Sequence, residues 1–484
     1  MADVSADVSL VEVGARGEAS QMRRVIDWKH GFYIATGVPA LVLVSIGPLA
    51  VQVGPPSVLV WIISVVIGML MSFVFAEIAS MFPEKTGGIP IFAAVAYRKY
   101  TPLVGPIVTW GYWFAWSPVL AINGLLVGGY VNASVFHSTN AWINWIIGAI
   151  VLVLFFAINH YGIRQGAYAQ LVLGICAIVP LLLLGIVPWF RGQVDFARFT
   201  PFAPVGGGWG SVNGWITFFG ALFVAGWSAY AFETAVSYCA EFRNPKSDAP
   251  KAILSSGVLA LVCFTLVPLA LIGALGMNTI VKDPSVALVP LAKQVFGGVG
   301  GQVIVVLLIV ALLLSTNTAM MGSSRALYQM SRDGNTFRFM GKLNRHGVPD
   351  RAMAFDVIFN LALMAFAVWA SGGVVGVGAS VFVLAASTVG YMTALALVLF
   401  GAYLLRRDYP TAERPYRAPR GFIGLGLFLA VLNILFMVAG WWLWGWLSIV
   451  IGALIVLSSI PIYYYRTLVE DRRAVPAVGE ARLS

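Results

Sequence analysis

The sequence predicts an all-α integral membrane protein with twelve transmembrane helices, and three observations carry that reading. The 484-residue chain is 60 % hydrophobic and only 10 % charged, where a soluble domain carries about 25 % Asp, Glu, Lys and Arg. Apolar runs of about 20 residues, the length a helix needs to cross the hydrocarbon core, recur along it. When those runs are threaded back and forth, all 30 Lys and Arg except Arg191, Arg198, Lys282 and Lys293 fall on one side, as the positive-inside rule requires. This composition excludes an ordinary soluble enzyme, which would have to expose large apolar patches. The formal charge of +10 is scattered through loops, so no nucleic-acid surface follows from it.

The elements follow in order. A polar tail, 1–30, has no apolar stretch of signal-peptide type. Span 1 (31–54) and span 2 (57–81) lead to Lys85, Arg98 and Lys99 on the inner side. Span 3 (103–131) and span 4 (141–160) return the chain to Arg164. Span 5 (166–190) and span 6 (213–238) bring it to Arg243, Lys246 and Lys251. Span 7 (252–276) and span 8 (300–325) end at a basic loop running to Arg351. Span 9 (353–371) and span 10 (376–404) end at a second, from Arg406 to Arg420. Span 11 (424–443) and span 12 (446–465) close on a short basic tail, 466–484. Both termini therefore read as cytoplasmic. Residues 31–465 form a single transmembrane domain, because no loop is long enough to hold another. No phosphate-cradling Gly-Lys loop and no HExxH pair is present, so neither a nucleotide-driven pump nor a metal enzyme is expected, and no cofactor. Cys176, Cys239 and Cys263 have no disulfide or metal spacing.

Ionisable groups inside spans are costly and mark pathways. Three acids qualify. Glu77 and Asp356 lie near span ends and read as interfacial side chains or helix-end hydrogen bonds. Glu233 is deeper, beside Trp227, Tyr230 and Phe232, and reads as functional. Every lysine lies outside the spans. Helix breakers add a second pointer. Span 1 carries Gly37 and Pro39 near its middle, and Pro39 removes a backbone donor. Span 6 carries Gly220, Gly226 and Ser228. Spans 1 and 6 open the two halves of a five-plus-five arrangement, and interrupted helices at matching places in two halves point to a midplane site.

Four stretches resemble the amino acid–polyamine–organocation superfamily of transporters. They are Phe75–Gly88 at the exit of span 2 and Ala231–Ile253 through the exit of span 6. The others are Gly322–Gly334 at the end of span 8 and Arg414–Pro419 before span 11. The resemblance covers about 30–465. It implies a leucine-transporter-type fold with inverted repeats at about 31–190 and 213–404, followed by two further helices at about 424–465. It also implies alternating access around a site lined by spans 1, 3, 6 and 8. Carried over, the substrate carboxylate meets Gly37, Val38 and Pro39, at the positive end of a half-helix. The ammonium meets Ala35, Trp227 and Tyr230, with Ala231 and Phe232 adjoining. Trp116 on span 3 is a further wall residue.

Two departures bear on substrate. The family's Gly-Ser-Gly is Gly37-Val38-Pro39 here, and its glycine on span 6 is Ala231. These leave room for amine, polyamine or choline-like substrates beside amino acids. For coupling, Ser315 and Thr316 on span 8 are candidate sodium ligands and Glu233 is the candidate proton carrier. Ion-independent exchange stays open as a third course. The expected protein is a non-enzymatic secondary transporter of a small amino acid or related amine in the cytoplasmic membrane, bathed in lipid, with no nucleic-acid partner and no fixed oligomeric state. The rival from another class is a membrane nutrient sensor that binds without transporting.

Overall fold

The computed structural model describes residues 27–35, 41–81, 89–161, 167–231, 242–372 and 378–473. Regular structure there is helical. Among the described residues ten helices are long and apolar enough to cross a membrane, and they correspond to spans 2, 3, 4 and 6 to 12. Spans 1 and 5 are represented by the shorter apolar helices Val42–Val53 and Ile178–Phe190.

We number the main helices α1 (Trp28–Ala35), α2 (Val42–Val53), α3 (Ser57–Met81), α4 (Ile89–Tyr97), α5 (Val104–Trp116), α6 (Val119–Val131), α7 (Ala141–His160) and α8 (Ala167–Phe190). They continue as α9 (Val212–Ala229), α10 (Pro245–Leu275), α11 (Leu288–Arg332), α12 (Asp350–Ser371), α13 (Ala379–Asp408), α14 (Phe422–Leu443), α15 (Trp446–Leu457) and α16 (Ser459–Tyr464). Their ends follow from local chemistry. Asn140 caps α7 by accepting from Trp142 N, and Ser211 caps α9 by accepting from Gly214 N, satisfying donors that a helix start leaves free. Pro245 opens α10, where its missing N–H costs nothing.

Several boundaries differ from the sequence reading. Span 3 is two helices, α5 and α6, because Pro118 cannot donate into the ladder. Span 8 extends from Leu288 to Arg332 and bends at Gly297, whose φ of 76° breaks the helical run. The expected C-terminal tail is helical as far as Glu470. Arg466 is buried there and donates to Thr336 O and Asp471.

Helix α13 is the centre of the molecule, with 89 % of its most apolar window buried; in α7 the figure is 11 %. The exposed side of α7 carries Ile146, Ile150, Val153 and Leu154, spaced as one helical stripe, which suits lipid contact. Two close approaches set the middle of the bundle. Gly124 and Gly128 bring α6 onto α7 at Gly148 and Asn144, the small-xxx-small device of membrane helices. Gly111 on α5 meets Gly390 on α13, and a Cβ on Gly390 would stand 2.6 Å from the Gly111 carbonyl oxygen.

Candidate functional site

The Gly111–Gly390 approach places the next residues along each helix, Tyr112 and Tyr391, ring to ring at 6.3 Å. One turn on, Trp116 packs edge-on against Tyr391 at 5.7 Å and against Trp227 of α9 at 5.9 Å. Trp227 is 1 % exposed and donates its indole N–H to Ala115 O at 2.9 Å. The sequence-predicted pair Trp116 and Trp227 thus comes together as the wall between α5, α9 and α13. Trp116 Nε1 is buried without an acceptor among the described residues.

Helix α9 ends at Ala229, inside the apolar run 213–238. Its last turn meets the first turn of α2. Ser228 donates to Leu41 O at 3.1 Å, and Ser45 lies 3.2 Å from the same hydroxyl. Since Ser228 has one hydrogen, Ser45 is the donor of that second bond. The N-terminal end of α2 and the C-terminal end of α9 are therefore pinned side by side. Helix ends of this kind carry about half a charge each, positive at the N-terminus and negative at the C-terminus.

Tyr230 is buried but turns away from Trp116. Its hydroxyl donates to Asn433 Oδ1 on α14 at 3.3 Å, and its ring packs on Gly68 of α3. Ala231 is buried beside it. Gly37, Val38, Pro39, Phe232 and Glu233 lie outside the described residues, as does the side chain of Ala35. Thr316 donates to Leu312 O at 2.8 Å, and Ser315 is half-buried on the adjoining position of α11. Thr316 thereby spends its hydrogen along its own helix and keeps its oxygen lone pairs.

Asp356 contradicts its sequence reading as an interfacial side chain. It is fully buried and joins three helices. Its Oδ1 accepts from Ser117 Oγ at 2.5 Å and from Trp113 Nε1 at 3.2 Å, while Oδ2 accepts from Ser323 on α11. Asn360, one turn along α12, donates to Ser117 Oγ and Asp356 O, both at 2.8 Å. The crossing of α5 and α11 over α12 buries this acid. Distance from a span end does not reveal that crossing.

Glu77 is likewise buried rather than interfacial, and it makes its hydrogen bonds near the C-terminal end of α3. It accepts from Arg406 Nε at 2.8 Å, Arg406 Nη2 at 2.5 Å and Ala418 N at 2.7 Å. Arg414 Nε is 3.3 Å from Glu77 but poorly aligned for a hydrogen bond; this guanidinium donates mainly to the carbonyls of Leu405, Tyr409 and Ala412. Burial, and next the Glu77 charge, push the nearby Tyr416 phenol up to about 12, so it stays neutral.

A bundle of apolar helices around a buried polar and aromatic middle defines a multi-pass membrane protein. Residues 26–455 match the model of the family described as "Amino acid permease", and the chain belongs to that family. It is 25 % identical over 457 residues to the glutamate/serine transporter AimA of Bacillus subtilis (strain 168), covering 85 % of this chain and 75 % of that protein. It is 25 % identical over 327 residues to the aspartate–proton symporter of the same organism, covering 64 % and 60 %. It is 22 % identical over 412 residues to the serine/threonine exchanger SteT, also of B. subtilis, covering 84 % and 87 %. The family and these relatives are described as permeases and transporters of amino acids.

Proposed function

We propose that this protein is a secondary transporter of small amino acids working by alternating access, with cytoplasmic termini and twelve spans in a five-plus-five inverted repeat plus two. The observation that carries the reading is the pinning of α2 to α9 through Ser228, Leu41 and Ser45. Two half-helix ends of opposite polarity side by side suit a zwitterion, carboxylate toward the start of α2 and ammonium toward the end of α9. In the sequence, Ala35, Gly37, Val38 and Pro39 precede the first of these ends, and Tyr230, Ala231 and Phe232 follow the second. Trp227 and Trp116 form the wall against which the substrate packs. Pro39 offers no N–H, so the carboxylate relies on the donors around it. The relatives that transport serine or glutamate make those two amino acids the first probes.

Alternating access needs the helices bearing the site to move against a scaffold. The Trp227–Ala115 hydrogen bond crosses between α9 and α5, and on this reading it would belong to that moving seam. The test is uptake of radiolabelled L-serine and L-glutamate into proteoliposomes, set against thermal stabilisation of the detergent-purified protein. Uptake of either with saturation supports the reading. Stabilisation by carboxylate-free amines only would reassign the substrate class, and binding without uptake would favour a sensor. Sodium dependence would direct attention to Ser315 and Thr316, and pH dependence to an acid.

A further inference from the structure

The network around Asp356 is built to hold a proton as readily as to lack one. Ser323 has a single hydroxyl hydrogen and three acceptors in reach, Ala319 O at 2.7 Å, Met320 O at 3.5 Å and Asp356 Oδ2. With Asp356 ionised, that hydrogen goes to Oδ2. With Asp356 protonated on Oδ2, the carboxyl O–H donates to Ser323 Oγ and Ser323 donates to Ala319 O. Either arrangement satisfies both groups with a hydroxyl rotation and no backbone movement. Oδ1 is committed to the donors Ser117 and Trp113 in both, so Oδ2 is the atom that gains or loses the proton.

No compensating cation is at hand. Around α12, His160 of α7 faces Asp350 at 3.8 Å, Arg325 of α11 is exposed and donates to Met321 O, and Arg338 is held by Asp471. Arg332 and Arg351 are exposed. The neighbouring helices also carry the phenols of Tyr112, Tyr130, Tyr328, Tyr391 and Tyr403 and the amine of Lys293, while Arg406 of α13 pairs with Glu77 and Arg407 with Asp408. Among the described residues none of these forms an ion pair with Asp356. A carboxylate buried without a cation is expensive, and a bound proton removes the charge.

The carboxyl is also wired to the candidate substrate site through three consecutive residues of the α5–α6 junction. Ala115 O holds Trp227, Trp116 packs on Trp227, and Ser117 donates to Asp356. The helical run is interrupted at Ser117 and Pro118, and a proline position is a place where a helix can change stance. We infer that Asp356 is a proton-binding site that takes its proton on Oδ2 and biases the α5–α6 junction at Ser117, linking proton occupancy to the Trp116–Trp227 wall. The inference rests on the transporter reading for its consequence, though not for the proton site itself.

Infrared difference spectroscopy of the full chain in lipid bilayers, titrated from neutral to acid pH, tests the site without any substrate. The expected result is a carboxylic-acid carbonyl band, shifted in D2O, that appears on acidification, is lost in Asp356→Asn and survives in Glu77→Gln. In Ser323→Ala the band remains but moves in frequency, because its hydrogen-bond partner is gone. An unchanged band in Asp356→Asn overturns the proposal. The linkage is read from L-serine uptake against pH. A pH-dependent wild-type profile that becomes flat in Asp356→Asn supports it. A profile lowered in parallel at every pH would mean a structural role only and would overturn the linkage. Absence of serine uptake by the wild type would count against serine as substrate, and the infrared result would still decide the proton site.

Discussion

Glu77 and Arg406 form a bidentate ion pair, Nε to Oε1 at 2.8 Å and Nη2 to Oε2 at 2.5 Å. It ties the C-terminal end of α3 to the C-terminal end of α13. Ala418 N completes the carboxylate's shell, so the stretch 75–88 and the stretch 414–419, separate marks of the family in the sequence, meet at one carboxylate. Glu77→Gln should leave Arg406 without its counter-charge. Losing one partner of a buried pair costs about 3–5 kcal/mol, and Arg406→Lys should not restore the loss, because an ammonium lacks the two-pronged fork. Thermal unfolding of both variants in detergent checks this. Wild-type melting in Glu77→Gln would show that the pair contributes nothing net.

Trp227 separates two roles that one side chain combines. Trp227→Phe keeps an aromatic face toward Trp116 and loses the hydrogen bond to Ala115 O, a loss of about 1 kcal/mol. Trp227→Ala also empties a buried volume, which costs about 3–5 kcal/mol. We expect Trp227→Phe to remain folded with altered uptake kinetics, and Trp227→Ala to reach the membrane with uptake abolished. Membrane abundance and L-serine uptake, measured on the same cells, distinguish the two. Full uptake by Trp227→Ala would remove Trp227 from the site.

The two glycines at the α5–α13 crossing should differ in tolerance. A Cβ on Gly390 meets the Gly111 carbonyl oxygen at 2.6 Å, whereas one on Gly111 meets the Gly390 oxygen at 3.1 Å. The first contact requires backbone to move, and overpacking of that kind costs about 1–3 kcal/mol. The second needs only a few tenths of an ångström. Gly390→Ala should therefore lower the melting temperature more than Gly111→Ala does, and it should also reduce uptake, since Tyr391 and Tyr112 follow these residues directly. Equal melting temperatures would mean that the crossing is looser than the distances indicate.

Much of the fold is legible in the sequence because the bilayer imposes one length and one polarity on every span. Trp116 and Trp227 are named in the sequence reading as candidate site residues, and the fold packs their rings together at 5.9 Å. What packing alone decides is less legible. Nothing near Asp356 in the chain announces the hydroxyls of Ser117 and Ser323, which arrive from spans 3 and 8. Tyr230 enters the candidate site through the resemblance, as a position whose backbone carbonyl would take the ammonium; the structure adds that its hydroxyl bonds Asn433. The interruption between α5 and α6 at Ser117 and Pro118, which stands between the aromatic wall and a buried acid, is seen only in the structure.

The last prediction concerns the seam between α2 and α9. Ser228 donates to Leu41 O and receives from Ser45, so Ser45→Ala removes one bond and Ser228→Ala removes both. Each neutral hydrogen bond contributes about 1 kcal/mol, and the two serines share one bond. The double variant should therefore be no less stable than Ser228→Ala alone, a coupling that a double-mutant cycle measures directly. If substrate bridges the same two helix ends, Ser228→Ala should weaken serine binding more than Ser45→Ala does, because only Ser228 reaches the backbone at the start of α2. Strictly additive stability losses would show that the hydroxyls do not bond each other. Equal effects on binding would place the substrate away from this seam.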